Sequence, residues 1–450
     1  MLTIYGGQPG RYCDSISRRS FLQVGGLAVG GLTLPGFLRI QSQAATADRL
    51  AEKSIIMICL GGGPSQIDTY DMRPGSPAEY RGEFLPTSSK VPGLQMCELM
   101  PRQAEIADKL AIVRSMQWTE PCHQYSEICT GFPAKAQRPS LGSTVNRVYP
   151  GGTRRLPRFV DLGGDGSSDR RQAEAPRYVG ASYRSFIPSG PALDDLSLPK
   201  SITLERLDDR KQLRSGLDHL RRKVDGSGEF EAFDAFTRQG LEMVTSSSVR
   251  EAFDISGEPV SLVARYGDKN ARFRYLSVRY GFEFESFIRA RRLVEAGVPF
   301  VSMSVARWDH HCLVKEEGTI FDSYRTLLPL YDMAIAALIN DLHERGLSEK
   351  VAVIVWGEFG RTPRVNKTGG RDHWPSAGCA LLAGGGFKTG QSIGETDTHA
   401  ERPKTRPYSP QNLLATLYQF LGIDPALTIP DTSGRPMYLL DDREVVRELV

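Results

Sequence analysis

The sequence predicts an α/β fold around a mostly parallel sheet, and two observations carry that reading. Short, continuous apolar runs bounded by turn residues alternate along the chain with segments of helical apolar spacing, the pattern of strands and helices packed in layers. Several of those runs end in glycine-rich loops where carboxylates and imidazoles gather. The 450 residues are 40% hydrophobic, ample for a sizeable core.

The first strand is Ser54-Ile-Ile-Met-Ile-Cys-Leu60, an unbroken apolar run that stops at Gly61-Gly62-Gly63-Pro64. A short helix over 100–107 leads into a second strand over 109–116, and Arg158–Leu162 reads as a third. Gly, Ser, Pro and Asp dominate 163–200, a surface insertion that opens a partly helical elaboration over 163–280. Helices are predicted over 204–224, 229–245 and 282–296, and a strand over Val298–Val305. Tyr324, Leu327, Leu328, Tyr331, Ile335, Leu338 and Leu342 recur at steps of three and four, one buried helix face. Val351–Trp356 and Cys379–Ala383 are further buried strands, and Leu413–Leu421 is a late helix. No internal repeat or low-complexity tract interrupts the series.

The N-terminus has a different character. Ser17-Arg18-Arg19-Ser20-Phe21-Leu22, a weakly apolar glycine-rich stretch from Val24 to Leu38, and small residues around Gln43–Ala47 read as a twin-arginine export leader over 1–47. That leaves 48–450 as one domain and predicts a periplasmic or extracellular protein. Gly25, Gly26, Gly30, Gly31, Pro35 and Gly36 make the stretch a poor spanning helix, so membrane contact is expected only through an uncleaved leader. The leader holds four Arg and one Asp, so 52 basic and 52 acidic residues remain; a neutral domain has no global field to draw nucleic acid. Of seven cysteines, Cys13 lies in the leader. An oxidising compartment permits disulfides among the other six, but their spacings match no disulfide framework, and Cys59 and Cys379 fall in strands, where buried thiols are equally expected.

Sheets of this type place ligands beyond the carboxyl ends of their strands, which narrows the search. The first strand is followed by Ser65 and Asp68, the second by Glu120-Pro-Cys-His123 and Ser126-Glu127. Beyond Val298–Val305 come Arg307, Asp309, His310 and His311, and beyond Val351–Trp356 come Glu358 and Arg361, then Arg371-Asp372-His373. Four of the seven histidines thus sit in strand-end loops. Carboxylates with imidazoles are the ligand set of Zn- or Mn-type ions. Each residue has a plainer reading: Asp68 as a helix cap, one of His310 and His311 as a packing residue, Glu358 as a salt-bridge partner of Arg361, and the hydroxyls of Ser65, Ser126 and Thr130 as caps. Gly61–Gly63 lack a following Lys, so a P-loop is excluded.

Gly62-Gly-Pro-Ser-Gln-Ile-Asp-Thr-Tyr-Asp71, Pro77-Ala-Glu-Tyr-Arg-Gly-Glu-Phe84, Arg291-Arg-Leu-Val-Glu-Ala-Gly-Val-Pro-Phe-Val301, Gly357-Glu-Phe-Gly-Arg-Thr-Pro363 and Gly369-Gly-Arg-Asp-His-Trp-Pro375 together resemble the bacterial domain-of-unknown-function family numbered 1501, over roughly residues 54–425. That family is similar in turn to the alkaline phosphatase and sulfatase superfamily. The resemblance implies a three-layer α/β/α sandwich of alkaline-phosphatase type. It sets Asp68 at the superfamily's first metal Asp, Asp309 with His311 at its Asp…His pair, His373 at its late His, Thr130-Gly131 at the close of the nucleophile helix, and Leu414–Ile423 in its late helix. The sequence departs where the superfamily has Asp-His after the central strand, since Glu358-Phe359 stands there, and the Asp309…His311 spacing is two residues rather than four. Pro121-Cys122-His123 does not match the Cys-x-Pro-x-Arg sulfatase signature, which argues against formylglycine chemistry.

The expectation is an exported, metal-dependent hydrolase of phosphate or sulfate esters, acting on an anionic ester or a polysaccharide. Asp68, Asp309, His311, Glu358 and His373 would hold one or two divalent ions (Zn, Mn or Ca/Mg). Arg307, Arg361 and Arg371 would grip the anion, and Ser126 or Ser65, with His123, would act in catalysis. The alternative is a secreted binding or assembly protein that kept the scaffold without the chemistry.

Overall fold

β1 (Ser54–Cys59) is buried along its whole length and runs through the middle of a seven-stranded sheet. The computed structural model describes residues 53–149, 156–163, 168–188 and 247–450; the leader expected over 1–47 and the helices expected at 204–224 and 229–245 lie outside them. The other sheet strands are β2 (Leu110–Met116), β3 (Phe159–Asp161), β4 (Phe300–Ser304), β5 (Val351–Trp356), β6 (Gly378–Gly384) and β7 (Gln391–Ile393). Their order is β7-β2-β6-β5-β1-β4-β3. β6 is antiparallel to both neighbours, and every other pairing is parallel.

Residues of β1 alternate between two cores, as a strand period of two requires. Ile56 and Ile58 join a cluster with α3 (Phe284–Glu295) and α4 (Ile320–Glu344). Ile55, Met57 and Cys59 are equally buried but outside that cluster. The opposite side carries the contacting helices α1 (Ser126–Thr130), α2 (Leu141–Val148) and α5 (Pro410–Phe420). The result is a helix–sheet–helix sandwich, with Glu52–Val450 forming one compact unit. The stripe from Tyr324 to Leu342 on α4 is buried at all seven positions. A capping box starts that helix: Thr319 accepts from the Asp322 amide, and the Asp322 carboxylate accepts from the Thr319 amide.

Within the 163–280 stretch, Arg170 and Glu174 are buried beneath the sheet edge, and Arg170 bonds Asp161 and Glu174 at 2.6 and 2.9 Å. Residues Arg272–Tyr275 and Val278–Gly281 form an antiparallel hairpin. All six cysteines of the described residues are free thiols, with Cys59, Cys97, Cys129 and Cys312 buried. Among the described residues, no helix is long and apolar enough to cross a membrane.

The topology decides where loops meet. β1, β2, β4 and β5 share one direction, so their carboxyl ends reach one edge. Because β6 is antiparallel, its entry lies at that same edge, and the loop that feeds it arrives there too.

Candidate metal centre

Four side chains from three loops converge at this edge: His123 after β2, Asp309 and His311 after β4, and His373 before β6. Each offers a ligand atom, and the four atoms lie within 4.8 Å of one another. Nε2 of His311 faces Nε2 of His373 at 2.9 Å. Asp309 Oδ1 is 3.1 Å from the first and 3.3 Å from the second, and Asp309 Oδ2 is 3.4 Å from Nε2 of His123. The four side chains are between 19% and 34% exposed, so the cluster opens to solvent.

Local packing holds each group. Trp308 is fully buried, donates its indole N–H to the Val305 carbonyl at 2.8 Å and meets Tyr324 and Tyr331 edge-on; it anchors the turn that presents Asp309. His373 sits in a two-residue antiparallel ladder, paired with Arg361 as Trp374 is with Gly360. Two glycines allow the loops to touch. A Cβ at Gly62, whose φ is +106°, would lie 2.3 Å from the Asp309 nitrogen, and one at Gly370 would lie 1.9 Å from the His311 carbonyl oxygen.

The outward nitrogens explain the inward ones. His373 Nδ1 is 2.8 Å from the Pro121 carbonyl, His311 Nδ1 is 2.7 Å from Asp372 Oδ1, and His123 Nδ1 is 2.9 Å from Glu358 Oε1. Carbonyl and carboxylate oxygens accept, so each Nδ1 donates, and each Nε2 is turned toward the Asp309 carboxylate. Three ring nitrogens gathered around one carboxylate form a donor set that a bound cation, or a proton on His123, would satisfy. Anchoring of the far nitrogen is also how proteins orient metal-binding imidazoles. Zn–N bonds of about 2.0–2.1 Å put tetrahedral ligand atoms about 3.3–3.4 Å apart, close to the separations at Asp309.

The charges respond accordingly. Burial opposes ionisation of His123, yet hydrogen bonds to Asp309 and Glu358 outweigh it and push its pKa up to about 9. Burial likewise works against an ionised Asp309, but His123, His373 and Arg361 hold it well below the usual carboxylate range. His310 behaves oppositely: fully buried between the rings of Tyr275 and Tyr324, and beside the Arg361 charge, it falls to about 3 and stays neutral. It is the packing member of the His310-His311 pair.

Other expected site residues lie elsewhere. Asp68, read as a metal ligand, has no accessible surface; its carboxylate is bonded by Arg371 Nε at 2.7 Å, Arg371 Nη2 at 3.2 Å and the Ser65 hydroxyl at 2.6 Å. The guanidinium takes the place beside that carboxylate that an ion would need. Ser65 is fully buried and spends its proton on Asp68. Arg361 and Arg371, expected to grip an anion, are also fully buried. Arg361 donates to the carbonyls of Gly62, Gly63 and Arg371 and to Asp309, and Arg371 donates to the carbonyls of Tyr80, Thr362 and Pro363. Both arginines pin strand-end loops together rather than face a substrate. Glu358 pairs with His123 and the Gly62 amide at 2.9 and 2.8 Å, so it reaches the cluster through an imidazole. Ser126 opens α1, just past the His123 loop, and Arg307 is exposed.

The family description of DUF1501, a protein of unknown function, matches residues 52–450. The chain belongs to the DUF1501 family. Among curated proteins, none matches this DUF1501 chain. Solved structures similar to it include the lipoteichoic acid synthase LtaP from Listeria monocytogenes, with 8% identity, 84% of this chain and 73% of that one covered, and a TM-score of 0.37. The C-terminal periplasmic domain of EptC from Escherichia coli, in complex with Zn, has 9% identity, coverage of 88% and 92%, and a TM-score of 0.35. A phosphonate monoester hydrolase from Silicibacter pomeroyi has 12% identity, coverage of 88% and 76%, and a TM-score of 0.35. Likeness at that level assigns neither substrate nor activity to a DUF1501 protein.

Proposed function

We propose that this DUF1501 protein is an exported hydrolase of phosphate or sulfate esters that works with one divalent ion. The observation that carries the reading is the arrangement of Asp309, His311 and His373. Their ligand atoms lie 2.9–3.3 Å apart, and both imidazoles are anchored through Nδ1. Three protein ligands with a further open position describe catalytic rather than structural zinc sites. Imidazole-rich donors suit Zn better than Ca or Mg. One ion is proposed because Asp68 is taken up by Arg371. The twin-arginine leader supports export, since that route carries proteins already folded around a cofactor.

An ion held there supplies Lewis acidity toward an ester oxygen. The chain supplies the rest. His123 stands on the Oδ2 side of Asp309, away from the Oδ1 contacts of the other two imidazoles. Glu358 accepts its Nδ1 proton, which leaves Nε2 to take or give a proton at the reacting group. Ser126 is the proposed nucleophile, because it opens α1 three residues after His123, whereas the Ser65 hydroxyl is bonded to Asp68.

A second reading keeps the fold without catalysis: His123 completes a closed four-ligand site, and four protein ligands mark a structural ion. His123→Ala separates the two. As a proton carrier, His123 is dispensable for the ion, and the variant keeps its metal while losing hydrolysis of aryl phosphate or aryl sulfate esters. Loss of the metal together with an active-site-independent drop in stability favours the structural reading.

A further inference from the structure

The hairpin Arg272–Gly281 lies against the candidate metal centre and has no part in holding an ion. Its inner ring, Phe273, is buried in the core; Tyr280 packs on Phe273 at 6.0 Å between centroids, and Tyr275 meets Tyr280 at 6.1 Å. The Tyr275 hydroxyl donates to the Asp309 carbonyl at 3.1 Å, and its ring packs edge-on against His310 at 5.2 Å. The hairpin is therefore tied directly to the ligand loop. Arg307, two residues before Asp309, lays its guanidinium over the Tyr280 ring at 4.8 Å and near Tyr275 at 5.9 Å. A guanidinium stacked on aromatic rings is preorganised, with less side-chain freedom to lose when its edge N–H groups bind an oxyanion. Arg307 shares its loop with Asp309, and the Tyr275 ring beside its guanidinium bonds the Asp309 carbonyl, so the charge belongs to the same loop-and-hairpin unit that presents the ligand. Arg361 and Arg371 are fully buried, while Arg307 is exposed.

We propose that Arg307, held by Tyr275 and Tyr280, forms a substrate subsite for a second tetrahedral oxyanion, so that the preferred substrate is an ester whose leaving group carries its own sulfate or phosphate. This rests on the hydrolase reading for the position of the reacting ester. It goes further in naming a multiply charged substrate, such as a polysulfated or polyphosphorylated sugar, over a simple monoester. The reacting anion meets the ion, and the neighbouring anion meets Arg307. Removing that guanidinium costs recognition of the second charge and leaves the first untouched.

The test uses hydrolysis-resistant probes on the zinc-loaded full chain, by calorimetry: propane-1,3-disulfonate against propanesulfonate, and propane-1,3-diphosphonate against propylphosphonate. The wild-type chain binds the doubly charged member of at least one pair about tenfold or more tightly, the worth of one charge-assisted contact. The pair that shows the preference tells sulfate from phosphate recognition. Arg307→Gln abolishes the preference with single-anion binding unchanged, and Tyr280→Leu reduces it. Equal affinities within each pair, no binding of any probe, or an equal loss of both members in Arg307→Gln each overturn the subsite. Hydrolysis of aryl esters is measured on the same samples. A preference without hydrolysis leaves the subsite standing and removes the hydrolase reading, and hydrolysis without a preference does the reverse.

Discussion

His311 and His373 meet through their Nε2 atoms at 2.9 Å, across 62 residues of chain. The antiparallel entry of β6 makes this meeting possible, because it returns the His373 loop to the edge where the strand carrying Asp309 and His311 ends. Each ring is oriented from behind, His311 by Asp372 and His373 by the Pro121 carbonyl.

His373→Ala is expected to lose most of the bound ion while the fold persists, since the side chain is partly exposed in a two-residue ladder outside the main sheet, with its ring against Phe359. Elemental analysis and far-UV circular dichroism on one preparation check both halves. Retained metal contradicts the ligand role.

Glu358→Gln keeps the shape of the side chain and removes the charge behind His123. If His123 acts beside the ion, the variant shows a fall in turnover of about 10-fold or more with metal content near wild type. If His123 is a ligand, the metal affinity itself falls by about 10–100-fold, as for other partners of metal-bound histidines. Chelator competition and steady-state rates on the same sample separate the two.

Much of this was legible in the sequence, and the reason is physical. β1, β2, β4 and β5 are buried runs with turn residues at their ends, and the α4 stripe is strictly periodic, so local pattern and tertiary position agree. Asp309, His311 and His373 could be read as site residues because they follow such runs. β7 was not foreseen, since Gln391-Ser392-Ile393 is short and polar and is recruited by its parallel pairing to β2. The roles of Asp68 and Arg371 were hidden because a buried carboxylate and a metal ligand look alike until the partner is known, and that partner is 303 residues away. The Tyr275–Tyr280 hairpin did carry a signal: apolar or aromatic Phe273, Tyr275, Val278 and Tyr280 alternate with charged residues inside a region otherwise read as helical.

The Asp68–Arg371 pair has no accessible surface. Arg371→Met strands a buried carboxylate and is expected to cost about 3–5 kcal/mol. The double variant Asp68→Asn/Arg371→Met is expected to recover a large part of that loss. Urea unfolding of the two variants decides it, and equal destabilisation in both would show that the charge on Asp68 is not the issue.

Gly62→Ala places a Cβ against the Asp309 backbone at a position with φ of +106°. Strain of that kind costs about 1–3 kcal/mol, and here it also pushes the Asp309 turn away from His123. A lower unfolding midpoint together with reduced metal content is the expected result; a thermal scan and elemental analysis measure it.

Burial raises the pKa of Glu174 from 4.5 to about 7; Arg170 pulls it down and Asp161 pushes it up again. The native state therefore holds a proton that the unfolded chain gives up, so this group's contribution to stability is full below the unfolded pKa and is lost as the pH rises through the folded value. Glu174→Gln removes the titration and flattens the stability profile between pH 5 and 7. Urea midpoints measured across that window would contradict this if the wild type and the variant ran parallel.

The central claim is that the loops at the carboxyl edge of the sheet hold one divalent ion between Asp309, His311 and His373. The most direct measurement is the metal content of the purified full chain, prepared without chelator and re-equilibrated with zinc, set beside the His311→Ala/His373→Ala double variant. The account predicts one equivalent in the wild-type chain and none in the variant. Less than a tenth of an equivalent in the wild type, or equal metal in both, would contradict it.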